Sequence, residues 1–196
     1  MLAIPAPVLD TMRRLEARDA TDRSDGTAKE QRLRAIPPEV GQLLRTLVQA
    51  AGARVILEVG TSSGYSALWL ALGAQQTGGR VTTFEVDPAK VALARETFAA
   101  AGVEAVVEAR LADGVAGLRE HHGTADLVFL DAEKDDYLRA LEPAIEALRP
   151  GGLLVADNLT SHAHDLAGFR DAALGDPRLD GLVVPIGRGE LIAVRI

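Results

Sequence analysis

Two short acidic clusters carry the residues best suited to chemistry. Asp131 heads the run Asp131-Ala132-Glu133-Lys134-Asp135-Asp136-Tyr137, and Asp157 stands directly before Asn158. If Asp131 and Asp157 end neighbouring strands, two carboxylates and an amide converge on one hard cation. An all-oxygen donor set favours Mg²⁺, Mn²⁺ or Ca²⁺ over Zn²⁺. Lys134 follows Asp131 by three residues, about one helical turn, so its ammonium can overhang the same spot. A third cluster, Glu58-Val59-Gly60-Thr61-Ser62-Ser63-Gly64-Tyr65-Ser66, is built of small residues that let a ligand approach the backbone. It lacks the Gly-x-Gly-x-x-Gly dinucleotide spacing and the Gly-Lys-Ser/Thr of a phosphate loop. A ligand with an amino-acid end and a nucleoside end suits it better, with Glu85 placed to accept hydrogen bonds from two ribose hydroxyls.

These residues need a frame that brings them to one edge. Short apolar runs alternate with helical segments: Val55 to Val59 then Ser66 to Leu72, Val81 to Val86 then Ala89 to Ala101, and Ala105 to Ala109 then Val115 to His121. Leu127 to Leu130 then precedes Tyr137 to Leu148, and Leu153 to Ala156 precedes a helix over Leu166 to Leu174. Five such units predict an α/β fold, a parallel sheet with helices on both faces. Leu182 to Ile186, the Gly187-Arg188-Gly189 turn and Leu191 to Ile196 read as a closing antiparallel hairpin. Ligands of such sheets bind beyond the carboxyl ends of the strands. There Glu58, Glu85, Asp113, Asp131 and Asp157 form an acidic rim that asks for a cationic or donor-rich ligand.

Ahead of the alternation, residues 5 to 18 predict a short helix. Residues 19 to 34 form a polar, mixed-charge stretch without apolar periodicity, expected to be a mobile arm. Pro37 and Pro38 suit the first turn of a helix running to Ala51. The organisation is a single domain over 1–196, with 1–35 as helix and arm and 36–196 as the catalytic core.

Composition removes several function classes. No cysteine is present among 196 residues, which excludes disulfides, thiolate metal sites and cysteine nucleophiles. The 21 basic and 28 acidic residues give a net charge of -7, the wrong sign for gripping a phosphate backbone. Arg13, Arg14, Arg18, Arg23, Arg32 and Arg34 could still form a local basic face. Only Lys29, Lys90 and Lys134 are lysines. His121 and His122 read as solvated, Trp69, Phe98 and Tyr137 as packing residues, and His162 and His164 as part of a loop after Asn158. With no long apolar span and no basic leader, a cytoplasmic protein without membrane contact is expected.

From about Ile36 to Ile196 the sequence resembles the cation-dependent class I O-methyltransferases that use S-adenosylmethionine, the group of catechol and caffeoyl-CoA O-methyltransferases. The resemblance is carried by Leu57 through Ser66, Phe84-Glu85-Val86-Asp87, Phe129 through Tyr137, Ala156-Asp157-Asn158 and Pro185-Ile186-Gly187-Arg188-Gly189. It implies a Rossmann-like class I methyltransferase fold with a seven-stranded, mostly parallel sheet. It places Glu58, Gly60, Thr61, Ser62 and Ser66 around the methionine end of the cofactor, and Glu85 on the ribose. Ala112 and Asp113 fall by the adenine, and Ile36 and Asp131 also on the cofactor. By the same resemblance Asp131, Asp157 and Asn158 hold Mg²⁺ or another divalent ion, Lys134 is the general base, and Glu133 and His162 face the substrate. A catechol-like vicinal dihydroxy acceptor and a homodimer are the family expectation. The alternatives are methylation of hydroxyuridine in tRNA and a cofactor-binding module without catalysis. A nucleotide-dependent oxidoreductase lacks its glycine motif here.

Overall fold

A computed structural model describes residues 3–28 and 31–196; Lys29 of the mixed-charge stretch lies outside them. Two helices, α1 (Ala6–Asp22) and α2 (Pro38–Ala50), precede the alternation β1 (Val55–Val59), α3 (Tyr65–Thr77), β2 (Arg80–Glu85), α4 (Pro88–Ala101), β3 (Val107–Leu111), α5 (Gly114–Leu118), β4 (Ala125–Leu130), α6 (Lys134–Ala147), β5 (Leu148–Ala156) and α7 (Ala167–Gly175). The hairpin strands β6 (Leu179–Val184) and β7 (Glu190–Arg195) close the chain. The seven strands form one sheet in the order β3-β2-β1-β4-β5-β7-β6, parallel except for β7, which runs antiparallel to both β5 and β6. The order reverses between β1 and β4, and the diverging connections open a crevice at that point.

Each strand alternates its side chains between two cores. Ile56, Phe129 and Val155 face the layer of α1 to α4, whereas Leu57, Val128 and Leu154 face α5, α6 and α7. The polar caps are local. Asp87 and Asp113 accept from the backbone N–H of Ala89 and Ala116 at 2.8 and 2.9 Å, which starts α4 and α5. Several ends differ from the sequence reading. β3 begins at Val107 because residues 103–106 make a turn, with Val106 N–H donating to Val103 at 2.8 Å. β5 begins five residues early at Leu148, and α5 stops at Leu118, short of the histidines.

The arm departs furthest from expectation. α1 continues to Asp22, and its last carboxylates are buried. Asp22 accepts from the Leu33 N–H at 3.2 Å, and Asp19 accepts from the Ala35 N–H at 3.3 Å and from Arg23 at 2.8 Å. Two helix-borne acids thus hold the returning chain by its backbone, so residues 31–36 run as a strap across the crevice. Leu33 and Ile36 pack inward from it.

Candidate active site

The parallel register sets the site. Val59 pairs with Leu130, Leu130 with Ala156, and Ala156 with Leu191 across β1, β4, β5 and β7. One residue further on, Gly60, Asp131, Asp157 and Glu190 form a row on a single sheet face, because side chains alternate with period two. The Asp131 N–H donates to Val59 at 3.0 Å and the Asp157 N–H to Leu130 at 3.1 Å, which carries the ladder to both acids. Gly60 is required at its place in the row. Its φ is 101°, and a Cβ there would sit 2.1 Å from the Asp131 carbonyl oxygen.

A cavity of about 390 Å³ opens above this row. From the strap and glycine turn it receives Ile36, Gly60, Thr61, Ser62 and Ser66; from β2 and the start of α5, Glu85, Ala112 and Asp113. Asp131, Glu133, Lys134, Asn158 and His162 line the other side. Glu58 and Asp157, also expected at the site, are fully buried and lie outside the cavity lining, one layer beneath.

At the β2 end of the cavity Glu85 is fixed by three backbone donors: Ser62 at 2.9 Å, Val86 at 3.0 Å and Asp87 at 3.1 Å. Its position is therefore set before any ligand arrives, and each oxygen keeps acceptor capacity toward a diol. Ser62 takes a left-handed φ of 46° and its hydroxyl donates to the strap carbonyl of Leu33 at 2.6 Å. The strap is also locked across the cavity mouth by the ion pair of Arg34 with Glu133.

At the other end, Asn158 has a φ of 76° and its amide donates to Asp131 at 2.8 Å. Asp157 accepts from the Asn158 backbone N–H at 2.5 Å, while its second carboxylate oxygen meets no donor. Tyr137, expected only to pack, does pack edge-on against Phe169 at 5.2 Å. Its hydroxyl also donates to the Asp157 carbonyl at 3.0 Å and accepts from Asn158 at 3.3 Å, pinning the end of β5. Burial raises the Asp131 carboxyl to about 6, with the Asp157 charge adding to the shift. Lys134, half-buried at the first position of α6, holds its ammonium 3.4 Å from the Ala132 carbonyl and 5.0 Å from the Tyr137 ring centre. Desolvation pulls its pKa below the ordinary lysine value even against the pull of Asp131 and Asp157.

One acid, Glu190, was not singled out in the sequence. Glu190 is buried facing the Asp157 carboxyl, and desolvation followed by the Asp157 charge pushes it up to about 10. A lone acid opening the final strand was its only trace in the sequence. Glu58 is raised to about 7, chiefly by burial, with the Ser66 and Thr83 hydroxyls too weak to offset it. An acid held neutral when folded favours folding below its unfolded pKa, and that advantage is lost as pH rises toward 7. We therefore expect Glu58→Gln to flatten the fall in stability between about pH 4.5 and 7, a span contributing up to about 3 kcal/mol. Urea midpoints of both proteins at pH 5 and pH 8 check this; equal slopes would show that Glu58 ionises freely.

Among the remaining expectations, His121 is half-buried rather than solvated, and desolvation lowers its pKa. It lies away from the cavity. His164 is exposed beside Asp165, whereas His162 contacts the Ser161 hydroxyl at 3.1 Å and reaches the cavity. Phe98 and Trp69 pack against Gly64 and Gly41, as packing residues should.

The comparisons with known proteins agree with this arrangement. The O-methyltransferase family model matches residues 16–196. A Mycolicibacterium vanbaalenii protein provisionally named an O-methyltransferase is 34% identical, covering 82% of this chain and 77% of its own. A Bacillus cereus O-methyltransferase solved with S-adenosylhomocysteine superposes with a TM-score of 0.80 at 27% identity, covering 100% of this chain and 94% of the other. A cofactor-bound Mycobacterium tuberculosis protein gives 0.82 at 27% identity, covering 100% and 92%. Matched by that family model over most of its length and 34% identical to such a relative, this chain belongs to the O-methyltransferase family.

Proposed function

We propose that the chain transfers a methyl group from S-adenosylmethionine to one hydroxyl of a vicinal dihydroxy aromatic, with a divalent cation held by Asp131, Asp157 and Asn158. The observation that carries this reading is the pair of acids ending β4 and β5, Asp131 lining the cavity and Asp157 buried beneath it with one oxygen left without a donor. Such an atom is costly to bury unless a cation or proton meets it. The donor set fits a catalytic ion. Two carboxylates and an amide are fewer than the roughly six oxygens such an ion takes, and would leave coordination positions open to acceptor oxygens.

When bound, the cofactor supplies an electrophilic methyl and the cation acidifies a coordinated hydroxyl, as metal-bound water is acidified from about 15.7 to about 7 in favourable sites. The chain does the rest. Glu85 and the Ser62 turn orient the nucleoside end, Gly60 admits the sulfonium end close to the backbone, and Leu33 and Ile36 on the strap exclude water. Lys134 receives the acceptor hydroxyl proton at Nζ, a role its lowered pKa suits. In-line attack then needs only that acceptor oxygen and methyl carbon share one axis.

A small acceptor is favoured over RNA by the state of the arginines once suspected of forming a basic face. Arg13 and Arg23 pair with Asp10 and Asp19, Arg32 donates to the Thr27 carbonyl, and Arg34 is tied to Glu133. Assays of catechols beside single-hydroxyl phenols, with and without a chelator, test the reading. We expect about a hundredfold preference for vicinal hydroxyls, since losing part of about 4 kcal/mol of hydroxyl acidification has that effect. Activity should vanish on chelation and return with Mg²⁺. Equal rates on single-hydroxyl phenols, or chelator-insensitive turnover, would overturn it.

A further inference from the structure

Four cationic side chains line the cavity, and three have evident work. Arg34 closes the strap onto Glu133, Lys134 overhangs Asp131, and Lys90, on the first turn of α4, adds its charge beside Glu133. The fourth is Arg188, at the acceptor end. Its backbone is firmly fixed: Gly187 and Gly189 take φ values of 57° and 88°, and the Arg188 carbonyl accepts from the Thr160 N–H at 2.9 Å, the Ser161 N–H at 3.0 Å and the Thr160 hydroxyl at 2.6 Å. The hairpin turn is thereby fastened to the loop that begins at Asn158. With Ala35 and Ile36, Arg188 lines both the main cavity and a smaller cleft beside α1 and α2. The hydrogen bond recorded for the guanidinium among the described residues is a long one, 3.4 Å to the Ala35 carbonyl, and no carboxylate there makes an ion pair with it. A planar five-donor fork on a fixed backbone, with no carboxylate at ion-pair distance among the described residues, is suited to a carboxylate.

We propose that Arg188 selects acceptors bearing an anionic group, so that the substrate class is a catechol carboxylate rather than a neutral or cationic catechol. This rests on the catechol reading above and adds the charge at the far end of the acceptor. The opposing account of Arg188 is that it only balances the acids of the row, since its charge reaches both Asp131 and Glu190.

The test compares 3,4-dihydroxyphenylacetate, its neutral primary amide and 3,4-dihydroxyphenethylamine in the native enzyme and in Arg188→Gln and Arg188→Lys. The readout is the ratio of kcat/KM between acceptors within each protein, which cancels any difference in the folded fraction. The native enzyme should favour the carboxylate over the amide at least tenfold and the amine least. Arg188→Gln should bring the carboxylate-to-amide ratio to about one, with Arg188→Lys intermediate, and calorimetric Kd ratios measured with S-adenosylhomocysteine bound should follow the same order. Methylation of all three acceptors without a charge preference, or a preference that survives Arg188→Gln, overturns this inference and leaves the catechol reading standing. A uniform loss on all three acceptors supports charge balancing and also overturns it. No methylation or binding of any of the three overturns the catechol reading and this inference together.

Discussion

Replacing Lys134 with methionine should lower kcat by about three orders of magnitude while changing the Kd for S-adenosylmethionine by no more than about threefold, since general-base catalysis contributes about 10²- to 10⁴-fold. Methionine keeps the apolar stem that packs near the Tyr137 ring and removes only the amine. The hydrogen bond of the ammonium goes to the Ala132 carbonyl, whereas Glu85 is held by the Ser62 turn, so cofactor contacts should survive loss of the amine. The pH profile gives a second signature. A lysine displaced downward by desolvation bears a larger neutral fraction at pH 7 to 8, and the rising limb of kcat/KM in the native enzyme should follow its deprotonation. In Lys134→Met that limb should disappear, leaving a slope set by hydroxide. A native-like kcat in a variant that still binds cofactor would remove Lys134 from the proton path.

Most of the frame was legible because it rests on short-range patterns. The alternation of apolar runs with helical segments gave the parallel sheet, and the Gly187-Arg188-Gly189 turn gave the antiparallel end. Gly60 stood out through its spacing, and the structure shows why: the Asp131 carbonyl fills the space a side chain would need. What could not be read depends on how distant segments meet. Asp19 and Asp22 look like solvated charges in a polar stretch, yet they bind the backbone of Leu33 and Ala35. Burial of such acids is decided by the path of the strap, which leaves no periodicity. Arg34 with Glu133 and Glu190 beside Asp157 are likewise products of register and tertiary closure. Tyr137 shows a third limit, because an aromatic at a helical core spacing signals packing but does not reveal where its hydroxyl ends.

Exchanging Asp157 for asparagine should move activity and stability in opposite directions. Asp157 and Glu190 are buried face to face, and the pair is retained in the fold although one Asp157 oxygen and both Glu190 oxygens have no hydrogen-bond donor. An amide in place of Asp157 can donate to Glu190, so the cation-free protein should gain about 1 to 2 kcal/mol, the scale of satisfying one buried acceptor. The same change removes one of two anionic donors proposed for the ion. Affinity for Mn²⁺, measured by calorimetry, should fall at least about a hundredfold, and turnover should drop below about a thousandth of native. Thermal melts separate the two effects. A ligand that binds only the folded state stabilises by RT ln(1 + [L]/Kd), so Mn²⁺ at a hundredfold excess over its native Kd adds about 2.7 kcal/mol to the native protein. At that concentration Asp157→Asn should melt higher than the native protein without metal and show little further rise with it. A variant that melts lower without metal, or that keeps the full Mn²⁺-induced shift, would mean that Asp157 serves to hold β5 and not to hold an ion. The opposite pair of results would show that a stability cost is borne at the ends of β5 and β7 because the reaction needs unneutralised oxygen there.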